Sequence, residues 1–306
     1  MHRTYVVTGT GSGIGRATAS LLRSRGARVI GVDVTCAEVR ADLSTQEGRI
    51  AAVDGALIES GGHIDGVIAN AGLSVPSAAT VAVNYFGAVE LLDGLRPALL
   101  SSRDPRAVVV SSMATLMPVD PDLVEACLAD DEERALEIAG RLAGDAATGG
   151  LIYPSSKRAL SRWVRREAVS KRWAGCCIPL NAVAPGIVET PMVAELLSTP
   201  EGTTAVDAIV PMPLNGHMQA GQVASLLAWL VSEENTHVCG QTIYIDGGSD
   251  VALRGDDVWS WNDGASVGSV ASVSAGAAGA PASMTGTPPP AAPEAMAEAV
   301  PATSGA

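Results

Sequence analysis

Short apolar runs alternate with longer amphipathic stretches along the first 250 residues. The short runs predict buried strands and the longer stretches predict helices. Strands that alternate with helices are typical of α/β proteins built on a parallel sheet. The predicted strands are residues 4–8, 28–32, 64–69, 107–110, 180–184 and 241–245.

A glycine-rich turn separates the first predicted strand from the first predicted helix. Its three key glycines, Gly9, Gly13 and Gly15, follow the spacing T-G-x-x-x-G-x-G. Gly9 permits a tight turn, Gly13 lets the backbone approach a pyrophosphate, and Gly15 lets helix and strand pack closely. This order predicts a dinucleotide site at a helix N-terminus. The alternative is a glycine-rich turn in an ordinary parallel sheet.

The second strand ends at Asp33, an acidic residue that follows the glycine turn by about 20 positions. Such a carboxylate can accept hydrogen bonds from the ribose hydroxyls of NAD and repels a 2′-phosphate. Thr10, Gly11, Ser12 and Val34 offer no cation to hold that phosphate. The sequence therefore predicts NAD rather than NADP as cofactor. The alternative is a solvated aspartate at a strand end.

Tyr153 and Lys157 are spaced so that they share one helical face. Pro154 fits a first helical turn and turns Tyr153 outwards at the mouth of the helix. Positive charge beside a phenol lowers its pKa, so Tyr153 is a candidate acid or base near neutral pH. Taken alone, the pair is typical of ordinary neighbours on a helix surface.

Polar residues follow other predicted strands. Asn70-Ala71-Gly72 comes after residues 64–69, and Ser111-Ser112 ends the next strand, where ligands bind in open α/β sheets. Asn84 lies in an apolar helix and needs a hydrogen-bond partner, so it is either a satisfied core amide or a functional group. Asp42-Leu43 either forms a cap or turn or places a carboxylate beside adenine.

Three segments interrupt or follow the regular pattern. Residues 118–150 predict two short amphipathic helices, beginning at Asp120-Pro121 and at Asp130 or Asp131. They either cover the active site, fill a subunit contact or form a surface hairpin. Residues 191–217 are apolar with interrupting Pro and Gly, as expected of a mobile substrate lid. Residues 1–255 are predicted to form one domain, and residues 256–306, rich in Ala, Gly, Ser and Pro, predict a disordered tail.

Composition narrows the range of partners. The net charge of −13 argues against nucleic acid and anionic membrane. The five cysteines show no zinc-like spacing, so no metal is expected and the thiols fit a reducing cytoplasm. Since no apolar run reaches about 18 residues, no membrane span is expected, and the strand at the N-terminus argues against a signal peptide.

Together these motifs resemble the short-chain dehydrogenase/reductase family over residues 4–253. The resemblance implies a Rossmann-type, doubly wound α/β fold with a seven-stranded parallel sheet. Residues 118–150 would be a helical insertion between strand 5 and the Tyr153 helix. It also implies an NAD-dependent enzyme that moves a hydride between nicotinamide and a secondary alcohol or ketone.

The resemblance further implies residue roles. Tyr153 would be the general acid/base, Ser112 would hold the substrate oxygen, Lys157 would bind the nicotinamide ribose and lower the pKa of Tyr153, and Asn84 would anchor a water in a proton relay. The implied cofactor-binding residues are Gly9, Ser12, Gly13, Ile14, Gly15, Asp33, Asp42, Leu43, Asn70, Ala71, Gly72, Tyr153, Lys157, Pro185, Gly186, Ile187 and Thr190.

Residues 29–49, residues 83–88 and the insertion are similar to the bacterial 3α-hydroxysteroid dehydrogenase/carbonyl reductases of this family. That likeness implies a hydroxysteroid or another bulky alicyclic alcohol as substrate, with an apolar lid that suits it. Coniferyl-type aromatic or terpene alcohols are the alternative substrates, and a non-catalytic NAD-binding sensor is the alternative function. We expect a homo-oligomer, with a dimer favoured because the insertion changes how subunits can pair.

Overall fold

Parallel strands form the centre of the molecule. The computed structural model describes residues 3–260. Its strands are β1 (Thr4–Thr8), β2 (Arg28–Asp33), β3 (Val39–Arg40), β4 (Gly66–Ala69), β5 (Arg106–Val110), β6 (Leu180–Pro185), β7 (Val188–Glu189), β8 (Met218–Gln219) and β9 (Thr242–Ile245). Seven of them form one sheet in the order β3-β2-β1-β4-β5-β6-β9, and β7 pairs with β8 separately. All the pairings in the large sheet are parallel.

Helices connect the strands. Their bounds are α1 (Gly13–Ser24), α2 (Gln46–Ser60), α3 (Ala78–Val81), α4 (Ala88–Leu99), α5 (Pro121–Leu128), α6 (Glu132–Ala143), α7 (Ile152–Glu167), α8 (Pro200–Ile209), α9 (Ala220–Leu230) and α10 (Ser249–Arg254). A π-helical segment, Ala82–Gly87, joins α3 to α4, and 3₁₀ turns lie at Met113–Leu116, Gly149–Leu151 and Ala174–Cys176.

Two hydrophobic cores lie on opposite faces of the sheet. Val6, Val67 and Val109 belong to one core, whereas Tyr5 and Ile68 belong to the other. Successive side chains of a strand point to opposite faces, so strands covered on both faces need continuous apolar runs. The observed sheet confirms the predicted Rossmann-type fold.

The insertion consists of α5 and α6, as the sequence predicts. The Asp120 carboxylate caps α5 and that of Asp131 caps α6. The Ser155 hydroxyl of α7 accepts a hydrogen bond from the Asp120 N–H at 2.9 Å, and Arg166 of α7 donates to the Leu128 carbonyl at 3.0 Å. Both ends of α5 are therefore tied to the helix that contains Tyr153.

The sequence pattern alone predicts that the Tyr153 helix continues to about Trp173, whereas α7 ends at Glu167. The chain turns back after Ala168, and Trp173 becomes fully buried edge-on against Trp163, with ring centroids 6.2 Å apart. Burial of this large ring is a tertiary contact, and it overrides the local helical pattern.

The segment predicted as a lid, residues 191–217, contains α8 and irregular turns. Its apolar side chains divide between two environments: Val210 is buried, whereas Met192, Leu196, Ile209 and Leu214 are exposed. Within residues 3–260, no helix combines the length and the hydrophobicity that a membrane span requires. The predicted tail lies outside the described residues from position 261 onwards.

Candidate active site

The glycine turn between β1 and α1 has a shape that only glycine tolerates. Gly9 and Gly13 adopt positive φ angles of +73° and +50°. A Cβ on Gly15 would overlap the Gly9 carbonyl oxygen, and one on Gly13 would lie 3.1 Å from Thr190 Cγ2. Ser12 is exposed at the N-cap of α1. The turn is therefore a cradle at a helix N-terminus that fits a pyrophosphate, and Thr190 faces it.

Thr8 and Asn70 fasten the adjacent ends of β1 and β4. The Thr8 hydroxyl accepts hydrogen bonds from the N–H groups of Asn70 (2.9 Å) and Ala71 (2.8 Å), and Asn70 Nδ2 donates to the Thr8 carbonyl at 3.0 Å. Sequence reasoning missed Thr8; the signal was a hydroxyl residue at a strand end beside the glycine turn. These bonds hold Asn70-Ala71-Gly72 against that turn.

Asp33 lies at the end of β2 beside the same turn. Burial opposes its ionisation, but hydrogen bonds from the N–H of Gly11 and from the N–H and hydroxyl of Thr35 outweigh burial and lower its pKa. These three bonds use most of the roughly four acceptor positions of a carboxylate. Arg40 is the neighbour of Asp33 in the β2–β3 register, a nearby cation that sequence reasoning missed.

Asp42 and Leu43 lie between β3 and α2. The Asp42 carboxylate accepts a hydrogen bond from the Ser44 N–H at 2.9 Å, and its bonds to Ser44 lower its pKa. Leu43 is buried against the π-helical segment, where a Cβ on Gly87 would lie 3.0 Å from Leu43 Cβ. Asp42 thus serves as a turn residue, and its carboxylate remains exposed.

Ser111 and Ser112 face different environments at the end of β5. The buried Ser111 hydroxyl bonds to the Lys157 carbonyl and the Ser161 hydroxyl. The Ser112 hydroxyl accepts from the Ala114 N–H at 3.1 Å, and it lies close enough to Tyr153 to lower the pKa of that phenol. Ser112, the serine that the sequence analysis selects, is therefore the one brought next to the tyrosine.

Tyr153 lies in the first turn of α7, but the expectation of a lowered pKa is wrong for this arrangement. Burial raises the pKa of the phenol, and the nearby Ser112 hydroxyl only partly opposes that rise. The sequence analysis placed the ammonium group beside the phenol oxygen, whereas Lys157 Nζ lies 5.8 Å from the centroid of the ring and donates elsewhere. Desolvation therefore outweighs charge stabilisation here.

Lys157 is almost fully buried, and burial lowers its pKa to about 8. Its Nζ donates to the Val110 carbonyl, at the end of β5, at 2.9 Å. A Cβ on Gly72 would lie 3.4 Å from the same Nζ. The ammonium group therefore lies where the ends of β4, β5 and α7 meet.

Asn84 lies in the π-helical segment and is fully buried. Its Oδ1 accepts from the Leu73 N–H at 2.8 Å, and its Nδ2 donates to the Leu73 carbonyl at 2.9 Å and to the Ser156 hydroxyl at 3.0 Å. Ser156 in turn donates to the Tyr153 carbonyl at 2.7 Å. Asn84 thus joins the segment after β4 to the first turn of α7, and its side chain already has three protein partners.

The chain leaves β6 at Pro185 and passes through Gly186 and Ile187 to Thr190. A Cβ on Gly186 would lie 3.0 Å from Met212 Sδ, so glycine permits this contact. Since Thr190 faces Gly13, residues 185–190 run from the end of β6 to the glycine turn. The predicted cofactor residues of the two segments therefore face each other.

A further arginine holds the 3₁₀ turn that follows Ser112. Arg158 donates to the Thr115 and Met117 carbonyls, and the Thr115 hydroxyl bonds to the Tyr244 hydroxyl at 2.9 Å. Sequence reasoning missed these contacts, because no local pattern brings Tyr244 near Ser112. They fix the turn from two sides.

Residues of the predicted lid line a cavity of about 580 Å³ beside Thr190. Pro191, Val193, Ala194 and Leu197 supply apolar lining, and Glu189, Thr190, Thr203 and His217 complete it. Its volume falls within the range of small-molecule sites. His217 pairs with Asp207 of α8 at 2.8 Å, which connects the lid helix to the segment before β8.

Comparison with known proteins adds independent evidence. Residues 3–122 match the family model described as short chain dehydrogenase, and residues 128–250 match the one described as enoyl-(acyl carrier protein) reductase. The 3-alpha-hydroxysteroid dehydrogenase/carbonyl reductase of Comamonas testosteroni is 37% identical over 253 residues, covering 81% of this chain and 97% of that protein.

Two further proteins show the range of the likeness. The coniferyl-alcohol dehydrogenase of Pseudomonas sp. strain HR199 is 32% identical over 266 residues, covering 81% of this chain and 96% of that protein. The crystal structure of 3-alpha-hydroxysteroid dehydrogenase from Pseudomonas sp. B-0831, complexed with NADH, has a TM-score of 0.76 at 38% identity and covers 83% of this chain and 99% of that one. The chain belongs to the short-chain dehydrogenase/reductase family and is an NAD(P)-dependent oxidoreductase that acts on CH–OH groups.

Proposed function

We propose that this enzyme uses NAD to interconvert a secondary alcohol and a ketone, with 3α-hydroxysteroids and 3-oxosteroids as its leading substrates. One observation supports the chemistry most: a serine hydroxyl, a phenol and a buried ammonium group lie together, and Gly72 next to that ammonium group belongs to the segment that is bonded to the glycine turn. The relatives named for 3-alpha-hydroxysteroids, at 37% and 38% identity, support the substrate class.

In this proposal Tyr153 moves the proton of the reacting oxygen. During reduction its phenol donates a proton to the carbonyl oxygen, and during oxidation its phenolate accepts the hydroxyl proton. The Ser112 hydroxyl donates a hydrogen bond to the same oxygen and holds it beside Tyr153. A dinucleotide held at the glycine turn would supply the hydride to the carbonyl carbon in reduction and accept it from the carbinol carbon in oxidation.

Lys157 and Asn84 support that proton transfer. With a pKa of about 8, Lys157 is mostly protonated at neutral pH. Its positive charge stabilises the phenolate of Tyr153 and so opposes the rise in the pKa of that residue. We propose that Asn84 serves the relay by holding the Leu73 segment and Ser156, since its side-chain amide already has three protein partners.

The cofactor preference follows from Asp33. Its lowered pKa keeps it ionised at neutral pH, so it repels a 2′-phosphate and can accept a hydrogen bond from a ribose hydroxyl. Among the described residues no salt bridge joins Arg40 to Asp33, so no direct ion pair offsets the repulsion of a 2′-phosphate by this carboxylate. The other residues that we propose to contact the cofactor are those that the family resemblance implies. They are given with that resemblance above, and the first of them along the chain is Gly9 and the last is Thr190.

The lid cavity beside Thr190 supports a bulky apolar substrate, because four of its lining side chains are apolar and residues 191–217 can offer that surface to a ligand. The likeness to the coniferyl-alcohol dehydrogenase supports aromatic alcohols as the second candidate class. The two classes share the same chemistry and differ in the shape of the group that the lid must cover.

The test is a substrate panel followed by NADH absorbance at neutral and alkaline pH. It includes 3α- and 3β-hydroxysteroids, 3-oxosteroids, monoterpene alcohols and cinnamyl alcohols, each with NAD and with NADP. We expect the highest kcat/KM for 3α-hydroxysteroids with NAD. Far better turnover of coniferyl alcohol would contradict the steroid assignment, and equal efficiency with both cofactors would contradict the NAD assignment.

We also propose that the enzyme is a cytoplasmic homodimer. Helices α5 and α6 cover α7, whereas β9 is an edge strand with half-exposed side chains, and an open edge is suited to pairing with a second copy. Light scattering during size-exclusion chromatography should give twice the mass of the chain. A monomer at micromolar concentration would contradict this proposal.

A further inference from the structure

Met212 contacts a backbone group that the proposed function assigns to the cofactor. The Ile187 N–H donates a hydrogen bond to Met212 Sδ at 3.2 Å. Ile187 stands between the end of β6 and Thr190, the residue that faces the glycine cradle. The resemblance to the short-chain dehydrogenase/reductase family implies that Ile187 contacts the carboxamide group of the nicotinamide.

A second set of contacts holds Met212 in that place. The Ser249 hydroxyl donates to the Pro211 carbonyl at 2.5 Å, and the Leu214 N–H donates to the Gly247 carbonyl at 2.9 Å. A Cβ on Gly247 would lie 3.1 Å from Met212 Cβ. The Asp246-Gly247-Gly248 turn and Ser249 therefore anchor the end of the lid and hold Met212 next to Ile187.

An N–H group has one proton, so it cannot serve a thioether and a carboxamide oxygen at full strength together. The thioether is the weaker acceptor. We propose that Met212 is a positioning residue that competes with the nicotinamide carboxamide for the Ile187 N–H and thereby couples dinucleotide binding to the position of residues 211–214. This inference rests on the proposed function, because it requires the nicotinamide to lie beside Ile187.

Two substitutions of similar size should act in opposite directions. Met212→Leu keeps the volume but removes the acceptor, so NADH no longer displaces a hydrogen bond. Met212→Gln provides an amide oxygen, a stronger acceptor that competes better. A residue with a purely structural role would weaken NADH binding in both variants.

The experiment measures the Kd of NADH by fluorescence titration of the full chain at pH 7. We expect Met212→Leu to lower the Kd of NADH about two- to fivefold, because one weak competing hydrogen bond is removed. We expect Met212→Gln to raise the Kd by a similar factor. Met192→Leu is the matched control: Met192 is an exposed lid methionine, and its variant should bind NADH as the wild type does. Thermal melting checks that each variant is folded.

A methyl-labelled methionine NMR spectrum provides a readout independent of affinity. The resonance that disappears in Met212→Leu should shift when NADH is added to the wild type. Equal Kd values for the wild type and Met212→Leu, or shifts of Kd in the same direction for both substitutions, would overturn the competition. If Met212→Leu failed to fold, Met212→Gln with an unchanged Kd would overturn it by itself. No binding of NADH to the wild type would overturn both this inference and the proposed function.

Discussion

Replacing Lys157 by methionine should make the folded protein more stable while it removes the proposed activity. Lys157 is 3% exposed, and burial lowers its pKa from 10.5 to about 8. That displacement corresponds to about 3 kcal/mol of folding free energy lost at neutral pH. Methionine fills a similar volume without the charge, so the penalty disappears.

The substitution also removes one hydrogen bond. Without Nζ, the Val110 carbonyl loses its bond from the side chain, which costs about 1 kcal/mol. The net gain for Lys157→Met is therefore about 2 kcal/mol at pH 7, which raises Tm by roughly 4–8 °C for a domain of this size. Steady-state turnover should fall with the loss of the charge near Tyr153.

The stability difference between Lys157→Met and the wild type should depend on pH. A lysine whose pKa is lowered in the folded state destabilises the protein below its folded pKa, near 8, and this penalty fades as pH rises to the unfolded value near 10.4. The stability advantage of Lys157→Met should therefore shrink between pH 8 and pH 10.4.

Urea denaturation at pH 7 and pH 10 measures both quantities. Lys171 is the only other lysine and is exposed, so Lys171→Met is a matched control that should stay within about 0.5 kcal/mol of the wild type. If Lys157→Met were less stable than the wild type at pH 7, or if the difference did not change with pH, the account of a desolvated ammonium group would be refuted.

Three further outcomes are expected. Asp33→Asn should lower the ratio of kcat/KM for NAD over NADP by about tenfold or more, because it removes the repulsion between the carboxylate and the 2′-phosphate and leaves Arg40 free to contact that phosphate. Adding Arg40→Leu should restore part of the ratio. An unchanged ratio in Asp33→Asn would contradict the role of Asp33. Arg49→Met should lower the free energy of unfolding, measured by urea denaturation, by about 2 kcal/mol, because the buried guanidinium joins α2 to Glu90 and to Glu132 of the insertion. Unchanged stability would contradict this link. Alcohol oxidation should accelerate from pH 7 to pH 10, since the raised pKa of the catalytic phenol keeps it protonated at neutral pH, and a flat profile would contradict that state.

The strands and the glycine turn could be predicted because local rules determine them. Buried parallel strands need apolar runs, and the positive φ angles of Gly9 and Gly13 require glycine. The caps at Asp120 and Asp131 are equally local, since each side chain accepts from an N–H three residues ahead. These features depend on short stretches of sequence, and the structure has them where they were expected.

The remaining features depend on contacts between distant segments. The raised pKa of Tyr153 follows from burial, which residue spacing does not reveal. Arg40 becomes a neighbour of Asp33 only through the strand register, and Met212 reaches Ile187 only because the turn after β9 anchors residues 211–214. The sequence analysis therefore identified the chemical groups but missed the contacts that adjust them.

The central claim is that the Tyr153 phenol exchanges the proton of the reacting oxygen. The most direct measurement compares Tyr153→Phe with the wild type in steady-state turnover of the best substrate and in NADH titration, with Tyr244→Phe as the control that removes a phenol hydroxyl from the turn after Ser112. We expect Tyr153→Phe to lose at least about 100-fold in kcat and to bind NADH nearly as tightly as the wild type, while Tyr244→Phe keeps most of its turnover. Wild-type turnover in Tyr153→Phe would contradict the account.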